Sequence, residues 1–297
     1  MVTLTTILGI TNYSLIFIAI GIYIFILIKI KRARQNRQDV PILLLCNTCI
    51  AVLVTLIVSF VMIISSLTNG FLTYNLSFCQ IWGFLYDIFE GSIYYSYCLQ
   101  AFYRLCRIVF YQKRFLINFS LYIKIIIVQW LFVFCLTLPA LFLYYVQLPT
   151  EQYCLVSHSD IHGSMYLIFT LYFIPLISIV LMYLWITSFM RQTSQAATAI
   201  IPAQQRQRNI RDLTIIRRLL VLILLLSILR FPTIIFIIHD LIIDELFSWA
   251  YTVVSLVTSI CLIMVGFITT RNTPQLRSNR FDVIHVHPNQ IGILRAA

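Results

Sequence analysis

Seven long runs of apolar residues divide the chain, at roughly 9–29, 40–65, 79–110, 120–145, 164–190, 213–239 and 247–270. Each suits a helix across a bilayer, which needs about 20 mostly apolar residues. Several contain Pro or Gly, which membrane helices tolerate because neighbouring groups satisfy the freed backbone. The only sizeable polar stretch, Q-T-S-Q-A-A-T-A-I-I-P-A-Q-Q-R-Q-R-N at 192–209, reads as a flexible connection between the fifth and sixth runs. The pattern predicts an all-α transmembrane fold, a seven-helix bundle over residues 9–270, preceded by a short segment 1–8 and followed by a tail 271–297.

Composition sharpens this. Hydrophobic residues make up 61% of the 297 and charged residues 10%, whereas soluble domains carry about a quarter charged residues. A net charge of +11 would suit a nucleic-acid binder, but its distribution excludes that reading. Nineteen of the 21 basic residues fall at 29–37, 104–114, 191–218 and in the tail, on alternating connections and helix ends. Lys124 lies near the same side, and only Arg230 lies deep in a run. The opposite connections hold Glu151, Asp160, Asp240, Asp244 and Glu245 and no Lys or Arg. Basic residues mark the cytoplasmic side, so the N-terminus is expected outside and the C-terminus in the cytoplasm, with the lipid bilayer as solvent and no nucleic-acid partner. The first run has no basic residue before it and ends in Lys29, Lys31, Arg32 and Arg34. It is too long for a signal-peptide core and reads as an uncleaved anchor.

Six of the eight cysteines lie inside apolar runs and read as buried small hydrophobes. Only Cys79 and Cys154 sit at run edges, where an oxidising compartment can join them. No spacing of Cys, His or carboxylates specifies a metal, no G-x-S-x-G occurs, and no cofactor or enzymatic activity is expected. Sequons begin at Asn12, Asn75 and Asn118; the topology leaves Asn75 as the outer candidate for glycosylation.

Marks along the runs narrow the class. Cys79 opens the third run, Arg104 follows 25 residues later, and Cys154 lies between the fourth and fifth runs. Trp130 and Pro139 mark the fourth, Pro175 and then Tyr183 the fifth, and Pro232 the sixth, with Asp212 20 residues before it. Together these resemble the rhodopsin-like (class A) G-protein-coupled receptors, over roughly residues 10–277. The resemblance implies a multi-pass protein of the plasma membrane that binds an extracellular ligand and signals through a heterotrimeric G protein. It implies a Cys79–Cys154 disulfide over the pocket mouth, helix kinks at Pro175 and Pro232, and a coupling switch formed by Arg104, Asp212 and Tyr183. The departures are as specific. The family's Asp-Arg-Tyr reads Tyr103-Arg104-Leu105, the sodium-holding aspartate of the second helix aligns with Val52, and the sixth-helix tryptophan becomes Arg230. The seventh run ends V-G-F-I-T-T-R without Asn-Pro-x-x-Tyr, and the first lacks its usual asparagine.

Helical spacing places Asp87, Glu90, Tyr94, Tyr97, Ala101 and Arg104 on one face of the third helix. A polar stripe inside a membrane should look into the bundle. An Arg at mid-membrane costs roughly 3 kcal/mol on insertion scales and requires a partner. By alignment Arg230 meets Glu90, so an ion pair there is expected, either as part of the ligand response or as a static pair fixing helix register. Tyr86, Asp87, Glu90 and Arg230 form the candidate ligand pocket. Acidic outer loops make a cationic ligand, a basic peptide or amine, one expectation; exclusion of basic residues from the outside accounts equally for the pattern. Two other classes compete. A degenerate receptor would act without signalling, as a scaffold or chemosensory partner. A small transporter or channel would use Asp87, Glu90 and Arg230 as a path, against the absence of repeated halves.

Overall fold

A computed structural model describes residues 2–34, 39–68, 70–110, 112–148, 152–157, 160–196, 224–225, 227–228, 230–243 and 249–272. Helices α1 (Val2–Arg34) and α2 (Val40–Leu67) come first. Pro41 stands in the first turn of α2, where a missing backbone N–H costs nothing. Helix α3 (Leu76–Ile108) begins at Asn75, whose side chain accepts from the Ser77 and Phe78 amides. Helix α4 (Phe119–Leu143) begins the same way, with Asn118 accepting from the Ser120 amide. Two of the three sequons therefore supply helix N-caps, a role that asparagine suits because its oxygen satisfies an orphan N–H.

An antiparallel hairpin follows α4, with β1 (Tyr145–Leu148) paired to β2 (Tyr153–Val156). Helix α5 has three continuous pieces, a helical stretch Ile161–Leu167, π turns over Ile168–Phe173, and an α-helix Ile174–Ala196. Pro175 lies just after the π turns. Its ring cannot donate and crowds the preceding turn, and a widened turn is one way a helix absorbs that defect. Helix α6 is helical wherever it is described over 224–243, with no interruption at Pro232. Helix α7 (Ala250–Asn272) closes the order.

The helices run past the expected spans. The first begins at Val2, and its stretch long and apolar enough to cross a membrane begins at Ile7. The sixth runs on to residue 243, past the expected 239, and the seventh starts at Ala250. The candidate switch residue Asp212, the 192–209 connection beyond Ala196 and the tail beyond Asn272 lie outside the described residues.

Five of the described helices are long and apolar enough to cross a membrane, in α1, α2, α4, α5 and α7. Their outward faces are apolar: Phe17, Val128, Leu131, Leu184 and Phe267 are each at least 60% exposed. A water-facing surface of that kind carries a large hydrophobic cost; hydrocarbon removes it. Helix α3 is different, with its buried residues running from Cys79 to Cys106. It packs on α2, α4, α5 and both hairpin strands, while α1 packs on α2 and α7. Side chains of α1, α2, α3, α5, α6 and α7 share the main core.

Polar groups fasten the helices where the core is apolar. Asn47 on α2 donates to Ser96 on α3 at 2.8 Å and to Gln129 on α4 at 3.0 Å, and accepts from the Trp130 indole at 2.9 Å. Asn12 is 1% exposed on α1, donating to Ser255 at 2.8 Å and accepting from Ser259 at 2.7 Å on α7. The sequence singled out Asn12 only as a sequon. Its amide is in fact taken up by the helix contact.

Candidate ligand cavity and coupling face

The disulfide Cys79–Cys154 joins the start of α3 to β2. Gly83 makes this approach possible: a Cβ there would collide with the Cys154 carbonyl and press on the Tyr145 ring. Gln80 Nε2 donates to the Tyr145 carbonyl at 2.9 Å. Two turns further along α3, the Tyr145 hydroxyl donates to Asp87 Oδ2. Burial and the Asp87 carboxylate together push the Tyr145 phenol well above its usual range. The disulfide and these two hydrogen bonds hold the hairpin to α3.

Beneath it lies a cavity of about 100 Å³. Its walls come from every side, including Ile63 of α2, Asp87 of α3, Leu155 of β2, Leu171 of α5, Arg230 of α6 and Tyr251 of α7. Tyr86 and Thr233 also line it. An apolar pocket with a few convergent polar groups, under a loop and between helices, is the usual form of a small-molecule site.

The polar stripe of α3 faces inward as its spacing requires. Asp87, Glu90, Tyr94, Tyr97 and Ala101 are all buried. Glu90 Oε2 lies 2.5 Å from Arg230 Nη2, so the guanidinium meets a carboxylate on the neighbouring helix. Tyr86 and Tyr94 stand beside the pair, and Tyr94 makes an edge contact with Tyr172 of α5, ring centroids 5.4 Å apart. Glu90 does not line the cavity, whereas its ion-pair partner Arg230 does. Of the four candidate pocket residues, Tyr86, Asp87 and Arg230 reach the cavity directly, and Glu90 reaches it through Arg230. Tyr145, the partner of Asp87, escaped the sequence reading, since a loop tyrosine 58 residues distant carries no signal of its target.

At the far end of α3, Arg104 is half-buried and neighbours the buried Tyr183 of α5. Tyr103, which stands where an acid was expected, turns away from that side. It is 7% exposed and makes an edge contact with Tyr122 of α4, centroids 5.2 Å apart. Val52 is fully buried in the main core with Cys49, Tyr94 and Tyr97.

A disulfide-anchored hairpin roofing a cavity between apolar helices is the layout of a membrane receptor. The family model for the 7 transmembrane receptor (rhodopsin family) matches residues 7–269, and the chain belongs to that family. Its members are in general receptors rather than enzymes. No curated protein matches the chain.

Proposed function

We propose that the protein is a seven-span receptor with its N-terminus outside, which binds a ligand in the cavity under the hairpin and activates a heterotrimeric G protein from the plasma membrane. The observation that carries this reading is the Glu90–Arg230 pair, which joins α3 to α6 at the cavity wall. Arg230 is at once a cavity residue and half of an interhelical contact, so a ligand that binds one arrangement of the pair better shifts the helices toward it. The basic residues at 29–37, 104–114 and 191–218 support a cytoplasmic face at the Arg104 end. The disulfide supports an oxidising compartment at the other.

A cationic head would compete at both carboxylates with groups already in place, the Tyr145 hydroxyl on Asp87 and the Arg230 guanidinium on Glu90. The competing reading, a receptor-like protein without signalling, draws on Tyr103 and Arg230 replacing the usual acid and tryptophan. Surface-matched expression with a panel of G-protein reporters separates the two. The receptor reading expects constitutive or ligand-driven activity that Arg104→Ala reduces; silence across the panel in both forms supports the other.

A further inference from the structure

We infer that the C-terminal end of the α1–α7 seam holds the headgroup of an anionic membrane lipid. Lys29, Arg32 and Arg271 supply the cations, and Phe25 and Phe267 lie against its acyl chain. The site stands apart from ligand binding and signalling, so silence in G-protein reporters leaves it untouched.

The seam sets the geometry. Asn12 meets Ser255 and Ser259, the Tyr23 hydroxyl donates to the Leu262 carbonyl at 3.0 Å, and a Cβ on Gly266 would press on Ile22 and Tyr23. Contacts that advance together along both helices mean that α1 and α7 run parallel, with their C-terminal ends at one face of the membrane. At 1.5 Å per residue, Lys29 stands about 10 Å beyond Ile22 and Arg271 about 8 Å beyond Gly266. The two therefore reach nearly the same level, and Arg32 follows Lys29 within one turn.

Charge at this level has one sign. Helix α1 ends in Lys29, Lys31, Arg32 and Arg34 and α7 in Arg271, and neither helix carries an Asp or Glu. The first acid after α1, Asp39, lies on the Tyr103 side. Lys31, Arg32 and Arg271 are exposed. Basic clusters just beyond a membrane helix draw anionic lipids, and the cytoplasmic leaflet, which this end meets in the proposed topology, carries them. A guanidinium fork also matches a phosphate more closely than an ammonium does.

Below the charges runs an apolar track. Phe25 is 54% exposed and Phe267 61%. Each lies one turn inside a basic residue on its own helix face, Phe25 four residues before Lys29 and Phe267 four before Arg271. The Lys29 ammonium lies 4.8 Å from the Phe25 ring centroid, so its stem follows the apolar face while its charge sits at the helix end. Ile18, seven residues before Phe25, and Met264, three before Phe267, are also exposed and lengthen the two faces. Cations at the mouth of a groove and apolar side chains along it fit a headgroup and a chain together. A free phosphate would use only the cations.

The test uses the full chain in nanodiscs of mixed phosphatidylcholine and phosphatidylserine, with retained lipids counted by native mass spectrometry. The parent should keep phosphatidylserine in preference to phosphatidylcholine. Arg32→Gln and Arg271→Gln should each weaken that retention about fivefold, the worth of one basic residue at an anionic surface. Arg32→Lys and Arg271→Lys, which keep the charge, should keep most of it. Lys113→Gln and Lys124→Gln, at the same membrane end but off the seam, should change nothing. Benzoylphenylalanine in place of Phe267 reads position without altering a charge. It should crosslink phosphatidylserine preferentially, whereas the same group in place of Leu131 on α4 should show no preference. Glycerophosphoserine, the headgroup without its chains, should fail to displace the lipid. Equal retention of both lipids, equal loss from the Lys113 and Lys124 variants, or crosslinking without preference at position 267 overturns the site. Displacement by glycerophosphoserine overturns the lipid as its occupant.

Discussion

Tyr145, on the first strand of the hairpin, hands its hydroxyl proton donor to Asp87, on α3 below the Cys79–Cys154 bridge. The bridge fixes one end of the hairpin and this bond fixes the other. Removing the hydroxyl leaves a buried carboxylate short of a donor, a loss of about 1–3 kcal/mol. Tyr145→Phe should therefore lower the thermal midpoint in nanodiscs measurably. Asp87→Asn, whose amide oxygen still accepts, should lower it less. Equal, negligible shifts for both would show that the contact does not hold the roof.

Glu90 and Arg230 form the costliest contact to break. Taking one partner from a buried ion pair strands the other charge and typically costs 3–5 kcal/mol, whereas replacing both with neutral groups is often close to harmless. Arg230→Met and Glu90→Gln alone should each reduce surface expression sharply, and the double variant should recover most of it. A charge swap, Glu90→Arg with Arg230→Glu, should recover more than either single change. Double variants no better than the singles would remove the pairing from the account of the fold.

The sequence made the helices and this pair legible for the same reason. Apolar runs of about 20 residues have few explanations, and an arginine among them has to find an acid. The spacing of Asp87, Glu90, Tyr94 and Tyr97 sets one face of α3 whatever surrounds it. What stayed hidden was contact across long separations. Nothing local pairs Tyr145 with Asp87, or Asn12 with Ser255 and Ser259, 243 and 247 residues away. Helix ends were less legible than spans, because a helix can continue past its apolar run, as before Ile7.

Trp130, Asn47, Ser96 and Gln129 tie α2, α3 and α4 through mutual hydrogen bonds. Asn47→Leu should destabilise the protein by about 1–3 kcal/mol, because it strands the Trp130 N–H and the Gln129 carbonyl in an apolar interior. Combining it with Gln129→Leu and Trp130→Phe should cost less than the sum of the three separate changes. Strict additivity in the unfolding midpoints would mean that the groups act independently.

Sodium should have no specific effect. The second-helix position that the family resemblance assigns to a sodium-binding carboxylate is Val52, fully buried among Cys49, Tyr94 and Tyr97. A hard cation needs oxygen ligands, and a valine supplies none. Exchanging sodium for potassium or choline at constant ionic strength should leave both the thermal midpoint and any reporter response unchanged. A sodium-selective shift in either would mean that oxygen ligands elsewhere in the bundle hold the ion, because α2 carries no acidic residue in any register, and would overturn this prediction.

Arg104 sits beside Tyr183 at the end of α3, while Tyr103 is committed to Tyr122 and cannot take the role of a neighbouring acid. Asp39, at the start of α2, lies on the Tyr103 side; the acid that the family resemblance brings to Arg104 is Asp212, 20 residues before Pro232. A bridge from Arg104 to Asp212 would hold α3 and α6 together at rest. Arg104 is itself only half-buried, which keeps such a contribution to about 1 kcal/mol or below, small enough to be released by a ligand. Asp212→Ala should raise basal reporter activity by a few-fold at matched surface expression, with Asp212→Glu close to the parent. The same substitution on an Arg104→Ala background should raise nothing, because that background removes the coupling arginine along with the bridge. Basal activity that stays level or falls in Asp212→Ala would show that resting closure of this end depends on other contacts.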